Sequence, residues 1–171
     1  DHDHLAMTID DVSGKGVPAA LFMVISKTLL KNHIQTGSSP KEVLSYVNHQ
    51  LCQGNDSCMF CTVWLGILDL RDGRLTSANA GHEYPVFKRP DGNYELYKDR
   101  HGFVIGGMED VKYREYEIQL EPGARLFVYT DGVPEATSAD KELFGTDRMM
   151  SALNAQPEAA PQEVLENVRA H

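Results

Sequence analysis

The apolar positions fall into blocks whose spacing changes along the chain. Leu5-Ala6-Met7-Thr8-Ile9 is a short apolar run that ends in two acids, Asp10 and Asp11. It predicts a strand opening into the loop Val12-Ser13-Gly14-Lys15-Gly16. The spacing then lengthens. Val17, Ala20, Leu21, Val24, Ile25, Thr28 and Leu29 form a stripe at helical periodicity, with Pro18 in the first turn, where proline is tolerated. Ser39-Pro40-Lys41-Glu42 has the form of a capping box. It opens a second amphipathic helix through Val43, Leu44, Val47 and Leu51.

Residues 60–70 are rich in β-branched and aromatic side chains. Val63, Leu65 and Ile67 alternate with Trp64, Leu68 and Leu70, so both faces are apolar, as in a strand covered on each side within a layered fold. Arg71-Asp72-Gly73 turns into a strand over 75–80, and Pro90-Asp91-Gly92-Asn93 joins Val86-Phe87 to Tyr94-Glu95-Leu96. Residues 113–120 alternate, Glu121-Pro122-Gly123 turns, and 125–129 form a strand that ends at Thr130-Asp131-Gly132. Helical segments over 148–153 and 162–170 follow. Hairpin-linked strands beside grouped helices predict an α+β fold with antiparallel sheets.

Composition changes the picture mainly by exclusion. A chain of 171 residues, 42% hydrophobic and 24% charged, fits one globular domain. Sixteen basic against 25 acidic residues leave a formal charge of −9. That argues against a nucleic-acid binder and against a polybasic membrane-surface protein. No apolar run approaches the roughly 18–20 residues of a spanning helix, and Asp1-His2-Asp3-His4 is the opposite of a basic leader. Three cysteines form no disulfide framework, which favours a reduced, cytoplasmic compartment. The chain begins at Asp1 rather than Met and enters its first strand almost at once, so a piece of a longer polypeptide is expected.

Candidate chemistry sits where strands end in acids followed by glycine turns: Asp10-Asp11-Val12-Ser13-Gly14 and Thr130-Asp131-Gly132. Such carboxylates suit a hard divalent cation that takes oxygen ligands and keeps its waters, although aspartates also cap turns. Gly14-Lys15-Gly16-Val17-Pro18-Ala19 mimics a dinucleotide fingerprint, but the acid expected about 20 residues on is missing and Asp11 would repel a pyrophosphate. Cys58 and Cys61 have C-x-x-C spacing without a second pair for zinc, and read as small buried hydrophobes. His2 and His4 read as a solvated strand start, and His82 follows a strand and Gly81, where the side chain either faces a cleft or is a hydrogen-bonded structural histidine.

In order, these blocks resemble the PPM/PP2C-type serine/threonine phosphatases, in the bacterial branch typified by the sporulation phosphatase SpoIIE and the stress-response phosphatase RsbU. Residues 11–20, Asp11-Val12-Ser13-Gly14-Lys15-Gly16 through Ala20, resemble the family's DVSGKGxxAA block. Met59-Phe60-Cys61-Thr62 resembles MFxT, residues 68–73 the LDxxxG hairpin, and Asn79-Ala80-Gly81-His82 the NAGH segment. Residues 129–136 resemble YTDGxxEA, and Leu143-Phe144-Gly145 the later FG before a helix.

The resemblance implies an αββα sandwich of two antiparallel sheets flanked by helices, with two Mn²⁺ or Mg²⁺ ions. It implies that Asp11 bridges both ions, that the Val12 carbonyl reaches one and that Asp131 binds the other. Gly14, Gly81, His82 and Gly132 lie close by. A water held between the metals would attack phosphorus without a phosphoenzyme. The implied substrate is a phosphoserine or phosphothreonine protein, such as a STAS-type anti-sigma-factor antagonist, under an upstream sensor or receiver domain.

The family's G-D-x-Y/F-D and DDxTxL segments, each with a further ligand, do not occur here. The chain is therefore expected to be a single PP2C-like domain, 1–171, lacking the family's first and last strands and cut from a larger regulatory protein. The alternatives are a catalytically inactive module of the same fold and a nucleotide-cofactor binder.

Overall fold

The computed structural model describes residues 2–138 and 140–171; Asp1, the first residue of the Asp1-His2-Asp3-His4 run, lies outside the described residues. The strands are β1 (His4–Val12), β2 (Cys61–Asp69), β3 (Arg74–Ala80), β4 (Val86–Lys88), β5 (Tyr94–Leu96), β6 (Glu115–Gln119) and β7 (Arg125–Phe127). The helices are α1 (Val17–Ile34), α2 (Pro40–Cys52), α3 (Gly145–Ala155) and α4 (Pro161–Ala170). They form two compact units. The first holds the described residues of Asp1–His82 with Asp99–Leu120, and the second Glu83–Lys98 with Glu121–His171.

The first unit is built on an antiparallel sheet in the order β1-β2-β3-β6. Register decides which side chains share a face, because residues alternate across a strand. Asp10 pairs with Val63 and Asp11 with Thr62, while Trp64 pairs with Asn79 and Ser77 with Tyr116. One face therefore carries Asp11, Thr62, Trp64, Asn79 and Tyr116. The other carries Asp10, Val12, Cys61, Val63, Leu65 and Ala78.

That second face receives the helices. Cys61, Val63, Leu65, Ala78 and Ala80 form one buried core with Leu30 of α1 and with Val43, Leu44, Val47 and Leu51 of α2. The expected amphipathic α2 is thus correct. Its capping box is half made: the Ser39 N–H donates to Glu42 Oε2 at 2.9 Å, while Ser39 supplies no side-chain cap bond.

The stripe on α1 behaves differently from its neighbour. Phe22, Leu29, Leu30 and Ile34 pack into the core, yet Val17, Leu21, Val24 and Ile25 are each more than half exposed. The helix carries apolar residues on two sides, and only one of them is covered within the unit.

The second unit has a three-stranded antiparallel sheet, β5-β4-β7, with α3 and α4. Val86, Tyr94, Tyr129, Met149, Leu153 and Val164 are its buried core. The Asn154 side chain straps α3 to β5: its Oδ1 accepts from the Tyr94 N–H at 2.7 Å and its Nδ2 donates to the Tyr94 carbonyl at 3.0 Å. Lys88 is fully buried, and its ammonium is satisfied by Glu158 at 2.5 Å and by the carbonyls of Arg89 and Pro90. A buried charge requires such partners. Both sheets are antiparallel throughout, as predicted, so β1-loop-α1 is not the first half of a parallel βαβ unit and the dinucleotide reading falls.

Candidate active site

Asp11 stands at the C-terminal end of β1, half buried, opposite Thr62 on β2. The next turn of the ladder is closed by Ser13, whose N–H donates to the Phe60 carbonyl at 2.9 Å and whose Oγ accepts from the Phe60 N–H at 2.9 Å. Since the Ser13 N–H faces β2, the Val12 carbonyl one residue earlier points the other way, toward the outer edge of the sheet. The loop beyond it is open. Gly14 and Gly16 have φ of 83° and 81°, and a Cβ at either would meet nothing within 4 Å. At Gly16 the pairing of φ 81° with ψ −160° is a conformation essentially limited to glycine, and it lets α1 start immediately after the acidic strand end.

Asp10 and Asp11 are neighbours in sequence but lie on opposite faces of the sheet. Asp10 turns toward the helix layer, where its Oδ2 is buried without a hydrogen-bond partner. Burial raises its carboxyl above the ordinary range, Lys27 partly offsets this, and Asp11 adds to it. It cannot share a cation with Asp11 across the sheet. Replacing Asp10 by alanine is expected to stabilise the protein at neutral pH by about 1 kcal/mol, the lower end of the cost of an unsatisfied buried polar atom. The sign follows from linkage. An acid raised on folding holds its proton more tightly in the native state, so its penalty grows as pH rises through that raised value. The gain in Asp10→Ala should therefore shrink toward pH of about 4, as urea unfolding at the two pH values would show.

His82 follows β3 after Gly81, is buried, and its Nδ1 lies 2.8 Å from Thr62 Oγ1. Thr62 Oγ1 lies in turn 3.5 Å from the Asp11 carbonyl oxygen. Asp11, Val12, Gly14, Gly81 and His82 thus belong to one end of the first sheet. Asp131 and Gly132 belong to the second unit. There Asp131 is exposed just past β7, in a turn closed by Val133 N–H to the Thr130 carbonyl at 3.0 Å and Glu135 N–H to the Asp131 carbonyl at 2.8 Å. Tyr129 anchors that turn in the core, its phenol pushed up to about 12 by burial and by Glu83.

The cysteines offer no competing chemistry. Cys61 is buried, and burial together with Asp10 and Asp11 pushes its thiol far above the ordinary range, away from the reactive thiolate. Cys58, against the buried expectation, is exposed. His2 and His4 are exposed as expected, with His4 Nε2 3.7 Å from Asp69.

The Asp11 carboxylate and the outward Val12 carbonyl are oxygen donors, which fit a hard cation. Among the described residues no three His, Cys, Asp or Glu side chains gather as a metal cage.

The fold has the form of a PP2C-type domain. The SiaA-PP2C domain of Pseudomonas aeruginosa superimposes with a TM-score of 0.78 at 23% identity, covering 99% of this chain and 67% of that one. The family model for stage II sporulation protein E (SpoIIE) matches residues 1–171, and the chain belongs to that family. Among curated relatives, protein IcfG of Synechocystis sp. is 31% identical and phosphoserine phosphatase RsbU of Bacillus subtilis 29%, each over 98% of this chain. The chain spans 30% of the length of IcfG and 50% of RsbU. No described helix is long and apolar enough to cross a membrane.

Proposed function

We propose that this chain is the catalytic part of a metal-dependent phosphoprotein phosphatase that hydrolyses phosphoserine or phosphothreonine. The supporting observation is the end of β1: a half-buried Asp11 carboxylate, an outward Val12 carbonyl and an open glycine loop, within a chain matched end to end by the SpoIIE family. Asp11 and the Val12 carbonyl would hold Mn²⁺ or Mg²⁺ in the first unit, and Asp131 is the candidate ligand that the second unit carries. Two bound divalent ions supply charge neutralisation to phosphoryl oxygens and make water a stronger nucleophile near neutral pH. The exposed glycine loop leaves room for a phosphorylated side chain. Water oxygen bonds to phosphorus while the serine oxygen leaves and takes up a proton.

The likeness to RsbU favours a phosphorylated regulatory protein as substrate, with a STAS-type antagonist in sigma-factor control as the specific candidate. Activation by an upstream sensor or receiver domain completes the proposal. Incubation of a polypeptide carrying this chain with a phosphoserine peptide tests it. Phosphate release that requires Mn²⁺ or Mg²⁺ and stops with EDTA is expected. Metal binding without release would favour the inactive module, and no metal binding would reject the site.

A further inference from the structure

A buried polar chain runs behind Asp11 on the same face of the first sheet. Its inner end is Asp99, whose side chain is fully buried. The carboxylate faces His101 Nε2 at 3.3 Å, accepts from Asn79 Nδ2 at 3.1 Å, and bonds the Tyr116 hydroxyl. Tyr116 in turn accepts from Trp64 Nε1 at 2.8 Å, and burial and the Asp99 charge hold its phenol well above the ordinary range.

Asn79 passes the constraint on. Its Oδ1 accepts from the His82 N–H at 2.8 Å and its Nδ2 donates to the His82 carbonyl at 3.1 Å. One amide thereby clamps both backbone groups of His82, and Asp99 holds the second Nδ2 hydrogen and fixes the amide's orientation. With its backbone clamped, His82 sets Nδ1 against Thr62 Oγ1, beside the Asp11 carbonyl. Satisfied buried networks of this kind rigidify the groups they touch.

We infer that Asp99, Asn79, His82 and Thr62 form a positioning relay that sets the Asp11 peptide for cation binding, with Thr62 as its last link. The inference rests on the proposed metal site at Asp11. Outer partners that orient a metal ligand typically change affinity or activity 10–100-fold when removed. A purely structural network would lower thermal stability and leave cation affinity untouched.

Mn²⁺ binding to the full chain, measured by calorimetry on metal-free protein, separates the two. Thr62→Val removes the hydroxyl and keeps the shape. It is expected to weaken Mn²⁺ binding roughly 10-fold, with Thr62→Ser restoring most of it. Asp99→Asn, which keeps the volume and removes the charge, should weaken binding in the same direction. Thermal unfolding of each metal-free variant confirms that it is folded. If Asp11→Asn abolishes Mn²⁺ binding while Thr62→Val binds within twofold of the parent, the relay is wrong and the metal site stands. If Asp11→Asn binds Mn²⁺ like the parent, the metal site and the relay fall together.

Discussion

Asp11→Asn is expected to lower kcat toward a phosphoserine peptide by at least ~10³-fold, the scale of losing one electrostatic stabiliser of the transition state. Asparagine preserves the shape and one oxygen, so the loss isolates the negative charge. The backbone of Asp11 is held by pairing with Thr62 and by the Ser13–Phe60 bonds that follow, none of which uses the carboxylate. Metal-free Asp11→Asn should therefore unfold within about 2 °C of the parent, as surface substitutions within about 0.5 kcal/mol do. A variant that kept more than a tenth of the parent's kcat would remove Asp11 from the proposed chemistry.

The largest structural effect is expected at Trp64. The indole is fully buried and lies along its own strand over Gly66, where an added Cβ would stand 2.5 Å from Trp64 Cη2. It fills the space the missing side chain leaves, and its N–H satisfies Tyr116. Trp64→Ala should cost about 3–5 kcal/mol through the cavity. For a chain of this length that is a fall in Tm of roughly 6–20 °C. Trp64→Phe keeps one aromatic ring but loses the pyrrole half and its donor, so it should fall between parent and alanine variant. Circular dichroism melts would measure all three, and an alanine variant melting within about 2 °C of the parent would contradict this packing.

Both expectations show which features were legible in the residues. The strands over 60–70 and 75–80 and the helix opened at Ser39 declared themselves through alternation, turn residues and capping, because those signals are local. Asp11 was legible as an acid at a strand end beside a glycine loop, whereas Asp131, expected at the end of a strand over 125–129, lies in a turn four residues past β7. The outward half of α1 was not, because periodicity tells which residues share a face but not whether anything covers it.

Asp99 was invisible for another reason. It lies in Lys98-Asp99-Arg100-His101, a run that reads as solvated, and its burial depends on Asn79 and Tyr116, which only tertiary pairing brings to it. The separation of Asp10 from Asp11 was likewise hidden until register assigned their faces.

That separation makes the spot unforgiving of misalignment. Sliding β1 by a single residue against Cys61–Asp69 would interchange the two acids, sending Asp11 into hydrocarbon and presenting Asp10 in its place. A one-residue insertion or deletion in His4–Val12 would impose such a slip, and should therefore be tolerated less than a substitution in the same strand.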